Sequence, residues 1–145
     1  METIPHISKL VQVGIRDFCE EEADYIAAHS EKIIVHFDRE IKKELYEGTT
    51  RFDYARRIVD QLPENVYITF DIDGLDPKLC PHTGTPVPGG FEFEQIALLL
   101  DLVSTHRQII GFDLNEVGND PRDANVGARM LFRLCAQFLS SSTSS

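Results

Sequence analysis

The chain has 145 residues, 42% of them hydrophobic, which is enough for one ordinary core and within the range of a single domain. Its 14 Lys and Arg against 24 Asp and Glu give a formal charge of −10, which argues against a nucleic-acid partner, because phosphate binding needs a basic face. No window approaches the roughly 18 apolar residues of a membrane span, and Cys19, Cys80 and Cys135 fit neither a disulfide framework nor a zinc ribbon, so a cytoplasmic protein is expected.

In chain order, Leu10 to Ile15 reads as a short strand rich in β-branched residues, followed by an amphipathic helix over Glu20 to His29. Its opening Glu20-Glu21-Glu22 suits the positive end of a helix dipole. Ile33 to Phe37 is a second strand, with helices over Arg39 to Tyr46 and Phe52 to Gln61. Val66 to Asp71 is a third strand, Glu92 to Thr105 a helix, and Ile109 to Asp113 a fourth strand. The last helix spans Val126 to Leu139, with Asp123 or Asn125 as its N-cap. Residues 140–145 are almost all serine, have nothing to bury, and are expected to be disordered, leaving 1–139 as one unit. Continuous apolar strands alternating with helices predict an α/β fold, a mainly parallel sheet in a three-layer α/β/α arrangement with right-handed crossovers.

The chemistry concentrates where the third strand ends, in Phe70-Asp71-Ile72-Asp73-Gly74-Leu75-Asp76-Pro77, followed by His82-Thr83-Gly84-Thr85-Pro86 and Gly89-Gly90. Read as continuing the strand, Asp71 and Asp73 point to one side while Ile72 turns inward. Adjacent carboxylates repel unless one is protonated or a cation neutralises both, and hard divalent ions with oxygen ligands do so well. In parallel sheets ligands bind beyond the carboxyl ends of the strands, where Asp71, Asp73 and Asp113 all fall, with Glu116 in the next loop. Asp76 before Pro77 reads as a turn cap, and the glycines permit a tight loop beside the site. The same Asp71-Ile-Asp-Gly74 also resembles the nucleophile motif of haloacid-dehalogenase-like phosphatases, in which Asp71 would attack phosphorus, although Leu75-Asp76-Pro77 departs from that pattern.

Taken together, Phe70 to Pro77, Thr83-Gly-Thr-Pro86 with Gly89-Gly90, and Gly111-Phe-Asp-Leu-Asn-Glu-Val117 resemble the ureohydrolase family of arginases, agmatinases and formimidoylglutamases. Val13-Gly-Ile-Arg16 and Asn125 to Leu131 are similar to stretches of its agmatinase-like branch. The resemblance implies the C-terminal part of the arginase-like fold and hydrolysis of a guanidino C–N bond. Agmatine is favoured as substrate, giving putrescine and urea, with arginine next. It implies two manganese ions, with Asp71 bridging them, Asp73 ligating one, Glu116 meeting the cationic guanidinium, Thr85 lining the pocket beside it and Asp113 supporting the strand end. It also implies a homo-oligomer for the complete protein. The family's histidine-bearing metal motifs have no counterpart here, since none of His6, His29, His36, His82 and His106 sits in an Asp-x-His-x-Asp setting. Two carboxylates are far short of a closed metal shell, so the isolated chain is expected to turn over little or nothing. The alternative is a non-catalytic half-domain or an oligomer partner.

Overall fold

Each apolar run of the sequence forms a strand in the computed structural model, which describes residues 6–141. The order is β1 (Leu10–Ile15), α1 (Glu20–Ala28), β2 (Ile33–Phe37), α2 (Asp38–Tyr46), α3 (Arg51–Gln61), β3 (Asn65–Asp71), α4 (Phe93–His106), β4 (Gln108–Asn115) and α5 (Pro121–Ser141). A single 3-10 turn, Ile72–Gly74, follows β3. The mixed α/β class with parallel strands is as expected: β1 pairs in parallel with β2, and β3 with β4. The strands form two separate two-stranded sheets rather than one continuous sheet.

The helices are set by local chemistry. Thr50 caps α3 by accepting from the Asp53 N–H at 3.1 Å, and Tyr54, Ala55, Ile58 and Val59 bury its inner stripe. Glu92 and Gln95 form a capping box on α4, whose buried Ile96, Leu99, Leu100 and Val103 recur at spacings of three and four. The final helix begins earlier than expected. Pro121 occupies its first turn, and the Asp120 carboxylate accepts from the Arg122 N–H at 2.9 Å, so Asp120 takes the capping role instead of Asp123 or Asn125. It also continues to Ser141, two residues into the stretch expected to be disordered, where Ser141 Oγ accepts from the Ile109 N–H at 3.2 Å. Residues 142–145 lie outside the described residues.

Val66, Phe70 and Ile109 are buried within the core that also holds residues of α3, α4 and α5. The alternate residues face outward: Tyr67 is 57% exposed and Ile110 60% exposed. One face of the β3–β4 sheet is therefore covered by helices while the other presents large apolar side chains to solvent, so what holds these strands is burial from one side only.

Candidate metal centre and substrate loop

At the carboxyl end of β3 the chain does not continue as a strand. The backbone turns into the Ile72–Gly74 3-10 segment, with Asp71 as its cap, accepting from the Asp73 N–H at 3.3 Å. Asp71 and Asp73 are therefore brought together by a turn and not by the two-residue period of a strand. Ile72 is fully buried, as expected, and anchors the turn on the core with Leu75. Asp76 caps the next turn, its carboxylate accepting from the Lys78 N–H at 3.0 Å, which is the structural role its place before Pro77 indicated.

Asp71 is perturbed. Partial loss of water pushes its carboxyl up to about 6, with the negative charges of Asp73 and Glu116 adding to the rise. Three carboxylates thus share one electrostatic neighbourhood. The Arg16 guanidinium beside them donates to main-chain oxygens, those of Gly74 (3.3 Å), Asp73 and Val87 (3.2 Å). The role of Arg16 is to tie the end of β1 to the turn after β3 and to the glycine-rich loop. The resemblance of Val13-Gly-Ile-Arg16 to a family stretch marked this position, but not the contacts that Arg16 makes.

The substrate-like loop is fastened to the same turn. Thr85 Oγ1 donates to Asp73 Oδ2 at 2.6 Å, so the residue expected to line the pocket sits against an expected metal ligand. Thr83, buried, donates to the Glu116 carbonyl at 2.9 Å. Glu116 has a positive φ of 60° without being glycine, a conformation that costs energy and persists only where the surroundings impose it. Its carboxylate lies over Gly84, whose missing side chain makes the room: a Cβ there would collide with Glu116 Oε2. Gly90, at φ +87°, brings the far side of the loop against the Leu75 carbonyl, which a Cβ would meet at 2.5 Å.

Asp113 stands apart. It pairs in register with Thr69, accepts its hydroxyl at 2.7 Å, and lies on the outward face of β4, where these hydrogen bonds hold its carboxyl below the usual range. It shapes that face rather than joining Asp71 and Asp73. His36, in β2, has both ring nitrogens occupied, by Tyr54 Oη at 2.7 Å and Gln61 Oε1 at 2.8 Å.

A second group was not foreseen. His82, Asp120 and Asp123 bring one ligand atom each within 4.8 Å of one another, the three-donor set found among the described residues. His82 Nδ1 lies 3.6 Å from Asp123 Oδ1 and 3.7 Å from Asp120 Oδ2. Asp123 is 0% exposed; its Oδ2 accepts the His82 N–H at 3.0 Å, while Oδ1 has no hydrogen-bond partner. The sequence hid this group because His82 and Asp120 stand 38 positions apart, and only the fold brings the loop to the start of α5. Cys80 lies beneath it, fully buried, its thiol donating to the Ile72 carbonyl at 3.1 Å and pushed up to about 11 by burial.

Known proteins are similar to this chain in sequence and in fold. The Pyrococcus horikoshii agmatinase is 41% identical over 69 residues, covering 48% of this chain and 24% of that protein. The N(1)-aminopropylagmatine ureohydrolase of Thermococcus kodakarensis is 38% identical over 85 residues, covering 56% and 29%. Among solved structures, proclavaminate amidino hydrolase from Streptomyces clavuligerus superposes with a TM-score of 0.73 at 26% identity, over 90% of this chain and 42% of its own. A hypothetical agmatinase from Burkholderia thailandensis also gives 0.73, at 28% identity, over 93% and 40%. The match thus spans about a quarter of the length of these curated relatives and about two fifths of these solved chains. Residues 1–140 match the Arginase family, and the chain belongs to it.

Proposed function

We propose that this chain supplies the carboxylate side of a divalent-metal site that hydrolyses a guanidino C–N bond, with agmatine or an N-substituted agmatine as substrate. The observation that carries the reading is the cluster of Asp71, Asp73 and Glu116, in which the charges of the other two raise the Asp71 carboxyl beyond the effect of burial, at the carboxyl ends of two paired parallel strands. That donor set fits a hard cation: oxygen ligands, with one carboxyl whose raised pKa is what a bound positive charge would reverse. Asp71 and Asp73 would hold the metal, manganese by the family resemblance, and the metal would supply a water activated near neutral pH. Glu116, fixed by its strained backbone and by Thr83, would pair with the substrate guanidinium and orient its carbon, with Thr85 holding Asp73 in place. A net charge of −10 favours a doubly cationic substrate, and relatives named for agmatine and aminopropylagmatine point the same way.

Urea release from agmatine, aminopropylagmatine and arginine, measured with added manganese, tests this on the chain joined to the remaining ligands of the site. Agmatine compounds turned over ahead of arginine are expected; arginine preferred, or no urea from any, would overturn the substrate reading. With two metal-holding carboxylates alone, the 145-residue chain by itself should give no measurable urea, as in the alternative of a non-catalytic partner domain. Robust turnover by the chain alone would reject that expectation.

A further inference from the structure

Where the substrate-like loop meets the start of α5, two carboxylates and an imidazole converge on a point that their own hydrogen bonds leave unfilled. Each carboxylate commits one oxygen to the backbone: Asp120 Oδ1 accepts from the Arg122 N–H at 2.9 Å, and Asp123 Oδ2 from the His82 N–H at 3.0 Å. Each turns its other oxygen to the same ring nitrogen, Asp120 Oδ2 lying 3.7 Å and Asp123 Oδ1 3.6 Å from His82 Nδ1. Those separations are too long for hydrogen bonds. Asp123 is fully buried, and its Oδ1 has no hydrogen-bond partner among the described residues. A buried carboxylate oxygen with neither a proton nor a cation to meet it is strongly unfavourable, and native folds rarely keep one. Gly118 keeps this corner clear, since a Cβ there would stand 2.6 Å from Asp123 Oδ2 and 2.2 Å from the His82 carbonyl oxygen.

We propose that His82, Asp120 and Asp123 bind a divalent cation of the zinc class, at a site that shares no residue with Asp71, Asp73 and Glu116. Ligand atoms about 2.0–2.1 Å from a tetrahedral ion stand about 3.3 Å from one another. The separations of 3.6 and 3.7 Å therefore need to close by only a few tenths of an ångström. Zinc would take Nδ1 of His82 and one oxygen of each aspartate, with water completing the tetrahedron on the open side, where His82 is half-exposed. The backbone N–H groups on the other two oxygens hold both carboxylates in position, as outer partners of metal ligands do. An imidazole among the donors disfavours calcium and magnesium, which take oxygen ligands, and zinc outranks manganese at a mixed nitrogen and oxygen site. The ion would neutralise the orphaned Asp123 oxygen and fasten the loop to α5. Thr83, next to His82, donates to the Glu116 carbonyl, and Thr85 donates to Asp73, so occupancy here would steady the residues placed around the guanidinium. The site itself does not rest on the function proposed above.

The test titrates zinc by calorimetry into the full 145-residue chain carrying Cys19→Ser and Cys135→Ser, which removes the exposed thiols, and Asp71→Asn with Asp73→Asn, which silences the other carboxylate pair. One zinc per chain is expected in that background, and His82→Ala or Asp123→Asn should each weaken binding by about tenfold or more. Nitrogen-15 spectra should show the ring Nδ1 of His82 shifted by zinc while His29, His36 and His106 stay in place. Backbone hydrogen exchange at residues 82–85 and 120–124 should slow together once zinc is added. No binding, or binding that His82→Ala leaves intact, would overturn the site and leave a protonated His82 as the partner of the two aspartates. Several weak ions spread over the other histidines would mean an adventitious ion only and would overturn it equally. Should either variant fail to fold, the nitrogen-15 shift of His82 in the parent background decides. Zinc bound at His82 with no urea released by the chain joined to its remaining ligands would leave this site standing and sink the ureohydrolase reading, so the two failures are separable.

Discussion

Two side chains at the turn after β3 carry opposite consequences for their neighbours. Asp71, its carboxyl raised to about 6, binds a proton more readily folded than unfolded. Folding therefore takes up protons between about pH 4 and pH 6, and this group's contribution to stability falls as pH rises through that window. Asp71→Asn should flatten that part of the metal-free stability profile, as urea unfolding at pH 4.5 and 7.5 would show, and should weaken manganese binding, read by electron paramagnetic resonance. Equal slopes in the two proteins would rule out Asp71 as the source. Cys80 differs from the other two thiols because it is buried and held near 11, while Cys19 and Cys135 are exposed. Brief alkylation of the native chain should modify Cys19 and Cys135 and spare Cys80, by mass of the tryptic peptides, and full labelling of all three would mean the loop under His82 opens freely.

The glycine-rich loop and α5 are held together as elements through the buried Asp123 carboxylate. Asp123→Ala would leave the His82 N–H without its acceptor and should cost about 1–3 kcal/mol, with Asp123→Asn costing less because an acceptor remains. Thermal melts of the two variants check the order. Gly118 is set against the same contact: a Cβ there would meet the His82 carbonyl carbon at 2.5 Å, so backbone must move. Gly118→Ala should destabilise by about 1–3 kcal/mol and shift the loop that carries Thr85. A variant as stable as the parent would show that the loop does not pack there.

On the scale of the whole molecule, the exposed Tyr67 and Ile110, together with the open edges of β1 and β3, leave more apolar surface uncovered than a free-standing sheet tolerates. The chain alone should therefore associate as concentration rises, and sedimentation velocity should show species beyond the monomer at tens of micromolar; a single sharp monomer with a cooperative melt would count against that. Among the described residues no helix is long and apolar enough to cross a membrane.

Element identity was legible residue by residue, because the β-branched runs ending at Ile15, Phe37, Asp71 and Asp113 and the three-and-four spacing of Ile96, Leu99, Leu100 and Val103 are local signals that burial merely reinforced. The pairing of Asp71 with Asp73 was visible for the same reason, being two residues apart, though a turn rather than a strand achieves it. What the sequence by itself determined was this set of elements and the acidic turn. Only the tertiary structure decided that Thr85 holds Asp73, that Glu116 is forced to positive φ, that His82 meets Asp123, and that β1 and β3 belong to separate sheets. Each of those depends on residues far apart in the chain, and contacts of that range leave no periodicity for a sequence reading to detect.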